Sequence, residues 1–314
     1  MKLLTAVAIL GFLIPLIEAQ GNSSDLYSEF ELRVDEYLTE TARKNGCDIY
    51  VELVRLYLED AELFCEEAIF EEVSKVNAHT NSVDFYLHAF GFILHHFWDN
   101  PLLSTEIKRE IVNAVINIPL FLSYPGELNN MQYWSENHQI GWYAAEYLIG
   151  TGLSSKPELS NTIFPSSGKT AAYHADMGRY RVMRWLDFRL KYGFSEFNSD
   201  TYGPIAYKAL VSVVACAPDQ DVREKASIVM NLQLYDHILG SHGIKLATAR
   251  GRAYSEKKLG QGQYGHMWLI KGKGTEDEIM IEYGSAQSTY FTLATVMGRY
   301  RIPETLLKVT FFLK

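Results

Sequence analysis

The chain is 314 residues long, 47% hydrophobic and 13% aromatic, enough apolar material for one large domain or two small ones. A net charge of −9 without any basic tract excludes a nucleic-acid binder that works through a positive face. Three cysteines, Cys47, Cys65 and Cys216, exclude a disulfide scaffold. One bridge is open to them in an oxidising compartment, most simply Cys47 with Cys65; the alternative is three buried thiols.

Met1-Lys2 followed by the apolar run Leu3 to Leu16 reads as a signal peptide, with cleavage expected after Ala19. The run falls short of the ~20 apolar residues of a bilayer span, which argues against the alternative of an uncleaved anchor. Lys2 and Glu18 leave together, so processing preserves the charge. Asn22-Ser23-Ser24 is a glycosylation sequon, with Asn22 as acceptor. The expected location is therefore extracellular, with no membrane contact after cleavage.

Helical periodicity then dominates residues 20–314, read as one domain. Leu26 to Arg43 repeats apolar residues at three and four, and two more such stretches lie between Asp48 and Val73. Val83 to Phe97 is apolar on most faces. Thr105 to Leu122 starts after Ser104 and halts at Tyr124-Pro125-Gly126. Ser135 is placed to cap a helix running to Leu148, with Gly150 as its stop. Lys169 to Tyr192 ends at Gly193, Thr201 to Cys216 stops before Pro218, and Asp219 is placed to cap Val222 to Leu239. No strand pattern interrupts these before residue 260. Residues 260–284 are glycine-rich and irregular, a loop or small hairpin; Ser285 to Met297 is helical again. The fold class is all-α: about eight or nine helices on short turns, as antiparallel hairpins closing into an (α/α) toroid or incomplete toroid. An open solenoid fits less well, because no repeat is visible.

Two segments differ from solvated helix faces. In Gln132-Tyr133-Trp134-Ser135-Glu136-Asn137-His138-Gln139, aromatic, amide, carboxylate and imidazole groups crowd a loop-to-helix junction. The alternative there is helix capping with a core histidine. Trp185-Leu186-Asp187-Phe188-Arg189, followed by Gly193 to Tyr202, alternates charges with aromatics, as sugar-binding clefts do. Here the alternative is a turn with Tyr202 as a packing residue. Arg250-Gly251-Arg252-Ala253-Tyr254 offers two arginines for a carboxylate or sulfate, or simply a solvated loop. Neither His95-His96 nor Asp236-His237 with His242 has metal-ligand spacing, and there is no phosphate loop or Gly-x-Ser-x-Gly elbow.

Glu136-Asn137-His138-Gln139 at the head of a helix, with Tyr202 and Pro204 opening a later one, resembles the Asn-His and Tyr motifs of alginate-lyase-type and chondroitinase-type polysaccharide lyases. Those enzymes are (α/α) toroids. The wider pattern, with Gly193-Phe194-Ser195-Glu196 and Gly251-Arg252-Ala253-Tyr254, also resembles large secreted toroid-type proteins of uncharacterised role. The resemblance implies β-elimination of a uronic-acid glycan without metal or other cofactor. Asn137 would hold the carboxylate, His138 would act as base or neutralise charge, and Tyr202 would act as acid, base or both. Trp134, Gln139, Arg189, Glu196, Arg250, Arg252 and Tyr254 would contact the acidic polysaccharide. Two alternatives stand beside the lyase. One is a non-catalytic secreted protein that binds glycans or sits in an extracellular matrix. The other is a toroidal glycoside hydrolase pairing Glu136 with Glu196 or Asp200.

Overall fold

The computed structural model describes residues 23–124, 130–252, 254–255, 266–272, 279 and 283–312. The expected signal peptide, Asn22 of the sequon and most of 260–284 lie outside the described residues. Among the described residues the chain forms 12 α-helices and two small antiparallel strand pairs. The helices are α1 (Ser23–Ala42), α2 (Ile49–Leu58), α3 (Glu67–Asn77), α4 (Asp84–Phe92), α5 (Thr105–Asn117) and α6 (Glu136–Ser154). They continue as α7 (Ala171–Tyr192), α8 (Gly203–Cys216), α9 (Gln220–Gly240), α10 (His266–Lys271), α11 (Ala286–Val296) and α12 (Glu304–Phe312). Strand β1 (Ile163–Phe164) pairs with β2 (Lys169–Thr170), and β3 (Ser241–His242) with β4 (Lys245–Leu246). Each strand is two residues long, too short to leave an alternating pattern in the sequence.

Local chemistry explains most boundaries. Asp48, Ser104 and Thr170 cap α2, α5 and α7 by accepting the backbone N–H of Tyr50, Ile107 and Tyr173. Helix α5 ends at Asn117 rather than Leu122, because Ile118 precedes Pro119 and takes an extended conformation. Gly150 does not stop α6, which continues to Ser154. A Cβ on Gly150 would collide with the backbone of His174 and Ala175, and one on Gly178 with the backbone of Tyr147. These two glycines set the close approach of α6 and α7. The apolar run Met267-Trp268-Leu269-Ile270 belongs to helix α10, not to a hairpin, and all four residues are buried.

Helix α8 is the centre of the packing. Every residue from Ala206 to Cys216 is buried, and α4, α6, α9 and α11 all pack on it. Helix α6 lies between α8 and α7, with Trp142 and Tyr147 fully buried. The last helix returns to the first: α12 packs on α1, and the Tyr27 hydroxyl donates to the Ile302 carbonyl at 2.8 Å. A disulfide joins Cys47 to Cys65, Cα atoms 5.6 Å apart, and leaves Cys216 buried as a free thiol. No described helix is long and apolar enough to cross a membrane.

Candidate functional site

The first backbone N–H groups of a helix lack intrahelical partners, so whatever reaches the head of α6 organises its surroundings. Ser135 takes the N-cap position, but its side chain makes no cap bond to the helix backbone. That role passes to Glu196, from the loop between α7 and α8. Its carboxylate accepts the Asn137 backbone N–H at 3.1 Å and the Asn137 side-chain amide at 2.9 and 3.0 Å. The exchange is reciprocal. The Glu136 carboxylate accepts the backbone N–H of Ser195 at 2.7 Å, the Ser195 hydroxyl at 2.7 Å and the Glu196 N–H at 3.2 Å, and pairs with Arg189. Two glutamates therefore staple the helix start to the loop.

Asn137 is 0% exposed and His138 is buried. His138 Nδ1 lies 3.0 Å from both oxygens of Asp84, and its ring stacks on Phe85 at 4.8 Å. Gly141 makes this possible, since a Cβ there would strike the Asp84 carboxylate. Burial pushes the Asp84 carboxyl up to about 6, against the opposing pull of His138. Nearby, Lys208 is buried among the rings of Tyr50 and Phe85 and donates to the Phe85 carbonyl at 2.7 Å. Burial pulls its ammonium down to about 8.

Tyr202 precedes α8 and is half-buried, not packed into the core. Its hydroxyl hydrogen-bonds that of Tyr254, and the Arg252 guanidinium lies 4.3 Å from its ring centre. Desolvation first, and then the Tyr254 hydrogen bond, push the phenol up to about 12, while Arg252 pulls the other way. Tyr202, Glu136 and Glu196 share a cavity of about 10 Å³, room for one water at most and none for a sugar ring. Arg250 pairs with buried Asp200 and donates to the Leu246 carbonyl at 2.5 Å. It ties β4 and the segment that follows it to the loop before α8. Asp200 is thus committed to Arg250, and the carboxylates proposed for hydrolysis all hold protein groups.

The roomier feature lies on the other side of Glu136. A groove of about 720 Å³ runs along α6 and α7, with Trp134, Gln139 and Arg189 on its walls. The structure adds Tyr180, Arg181, Arg184 and Phe188, which recur at three and four along α7 and so share a face. Trp134 is 69% exposed, and Tyr180 and Phe188 are each 53% exposed. Glu136 offsets Arg189, and fully buried Glu146 offsets Arg181, whose guanidinium lies 3.5 Å from the Phe121 ring centre. Arg184 donates to the Tyr180 hydroxyl at 2.9 Å and pairs with no carboxylate among the described residues. Beneath, the Trp185 indole N–H and the Arg189 Nε are buried without an acceptor. Sequence reasoning found one end of this groove and missed Tyr180, Arg181 and Arg184. Their signal was present in the i, i+4 spacing of Tyr180, Arg184 and Phe188.

Of the trio expected from the lyase resemblance, Asn137 and Tyr202 meet at Glu196, which accepts from Asn137 and lines the small cavity with Tyr202. Asn137 and His138 lie beneath the surface and line neither cavity, while Tyr202 sits beside the smaller one. Among the described residues, the metal-like grouping of Cys47, Cys65 and Glu67 has both sulfurs in the disulfide. His95 and His96 bond the carbonyls of Leu148 and Ala215. The chain matches no family model, no curated protein and no solved structure.

Proposed function

We propose that this chain is a secreted glycan-binding protein that holds an acidic saccharide in the groove along α6 and α7 without turning it over. One observation carries the reading: exposed rings of Trp134, Tyr180 and Phe188 line one groove with an arginine, Arg184, that has no carboxylate partner among the described residues. Flat rings suit the apolar faces of sugars, and a planar guanidinium suits a carboxylate or sulfate. The acceptorless N–H groups of Trp185 and Arg189 at the base add to the case, because buried donors are seldom left unpaired. An incomplete (α/α) toroid is the arrangement we assign, supported by the return of α12 to α1. The N-terminal apolar run and the Cys47–Cys65 bridge support export to an oxidising compartment.

Catalysis by elimination needs a carboxylate-neutralising group and a base in contact with the sugar. The Asn137 amide is occupied by Glu196, and His138 is buried and lines neither cavity, which favours binding over turnover. The lyase reading is favoured by Tyr202, whose hydroxyl lies near the surface with Arg252 against its ring. Titration with acidic oligosaccharides, followed by absorbance of unsaturated uronides, separates the two. We expect saturable binding without ultraviolet-absorbing product. Product formation that is lost in Tyr202→Phe would establish the lyase instead.

A further inference from the structure

Outside the groove, three side chains from three elements form a relay. Ser167 stands in the β1–β2 turn, His174 in the first turn of α7, and Glu146 in the middle of α6. The Ser167 Oγ lies 2.8 Å from His174 Nε2, and His174 Nδ1 lies 2.9 Å from Glu146 Oε1. His174 and Glu146 are fully buried, while Ser167 is half-buried at the surface. Two further donors converge on Glu146: the Tyr124 hydroxyl at 2.8 Å and the Arg181 guanidinium. Glu146 already accepts from those donors, so the hydrogen bond at Nδ1 runs from the imidazole to the carboxylate. Nε2 is then the bare nitrogen and the Ser167 hydroxyl donates to it. The Lys169 backbone N–H, 3.2 Å away, donates to the same Oγ and fixes its direction. Phe164 packs 4.2 Å from the imidazole and Tyr124 stands edge-on at 5.3 Å, so the ring is held.

We propose that Ser167 is an activated nucleophile, with His174 as its general base and Glu146 as the group that orients it, acting on short acyl esters. Oγ attacks the ester carbonyl carbon, and its proton passes to His174 Nε2. The C–O bond to the alcohol breaks, and the alcohol leaves with that proton. Water, deprotonated by the same nitrogen, then releases the acid and restores Ser167. The position of Ser167 at the surface, lining neither the groove nor the small cavity beside Tyr202, limits the substrate to esters that project from a larger molecule or are small. This proposal stands whether or not the groove binds glycans.

The test is labelling of the folded full chain with a fluorophosphonate, in which an O–P bond forms at Ser167, fluoride leaves and His174 takes the proton. Peptide mapping should place the label on Ser167. It should be lost in Ser167→Ala and in heat-unfolded protein, and slowed about a hundredfold or more in His174→Gln. Ser167→Ala changes a turn residue and should fold normally, so that variant and the unfolded control decide the matter even if His174→Gln does not fold. No label at Ser167 in the folded protein, or equal labelling after unfolding, overturns the proposal.

Discussion

Trp134 and Gln139 border the groove with side chains open to it, whereas Glu136, Asn137 and His138 between them are taken up by Arg189, Glu196 and Asp84. The same six-residue run thus builds a binding wall and an internal fastening. The difference lies in hydrogen-bond accounting. A polar group engaged by the protein is costly to disturb and has little left for a ligand. An exposed ring or guanidinium without a partner costs the fold little and remains available.

The comparison breaks most visibly at Glu136. Replacing it with Ala strands the buried Arg189 and removes the acceptor of the Ser195 and Glu196 N–H groups. Loss of one partner from a buried ion pair costs about 3–5 kcal/mol, to be read from urea unfolding. A loss under about 1 kcal/mol would show that the staple contributes little.

Asp84 sharpens the comparison through pH. Burial raises its carboxyl from 3.8 to about 6, so the folded protein holds that proton more tightly than the unfolded chain. Above about pH 6 the ionised group costs the fold roughly 3 kcal/mol relative to its protonated form. That cost fades as the pH falls from about 6 to 3.8. Wild type should therefore gain on Asp84→Asn across this window when unfolding free energies are compared. A difference that runs the other way would mean that His138 holds the carboxyl ionised throughout.

Tyr202→Phe is a smaller change, removing one hydroxyl bonded to Tyr254 near the surface. Stability should fall by about 1 kcal/mol in the same unfolding assay, with saccharide affinity in the groove unchanged. A fall in affinity would place the ligand against Tyr202 and move the site to the other side of Glu136.

The helices were legible because their apolar periods and caps are local: Ser104 caps α5 and Gly193, at φ 74°, closes α7. Less legible was anything set by a distant partner. Gly150 reads as a stop until His174 and Ala175 are seen against it. Asp219 has the N-cap position of α9, yet its side chain accepts the Tyr147 hydroxyl at 2.6 Å instead of capping. Likewise Asn137 and Glu196 are 59 positions apart, and no spacing rule announces that each completes the other. The groove was half-legible: Trp134, Gln139 and Arg189 stood out in aromatic-rich segments, while the i, i+4 spacing of Tyr180, Arg184 and Phe188 marks a shared face but not that α6 packs beside it to make a groove.

The central claim rests on the exposed side of this comparison, and calorimetric titration with an acidic oligosaccharide tests it most directly. Arg184→Ala should weaken binding about tenfold by removing a charged hydrogen bond, while leaving unfolding free energy within about 0.5 kcal/mol of wild type. Trp134→Ala should weaken binding without unfolding the protein, and a neutral oligosaccharide should bind the wild type less tightly than the acidic one. Unchanged affinity for the acidic oligosaccharide in both variants would contradict the assignment of the α6–α7 groove as the glycan site.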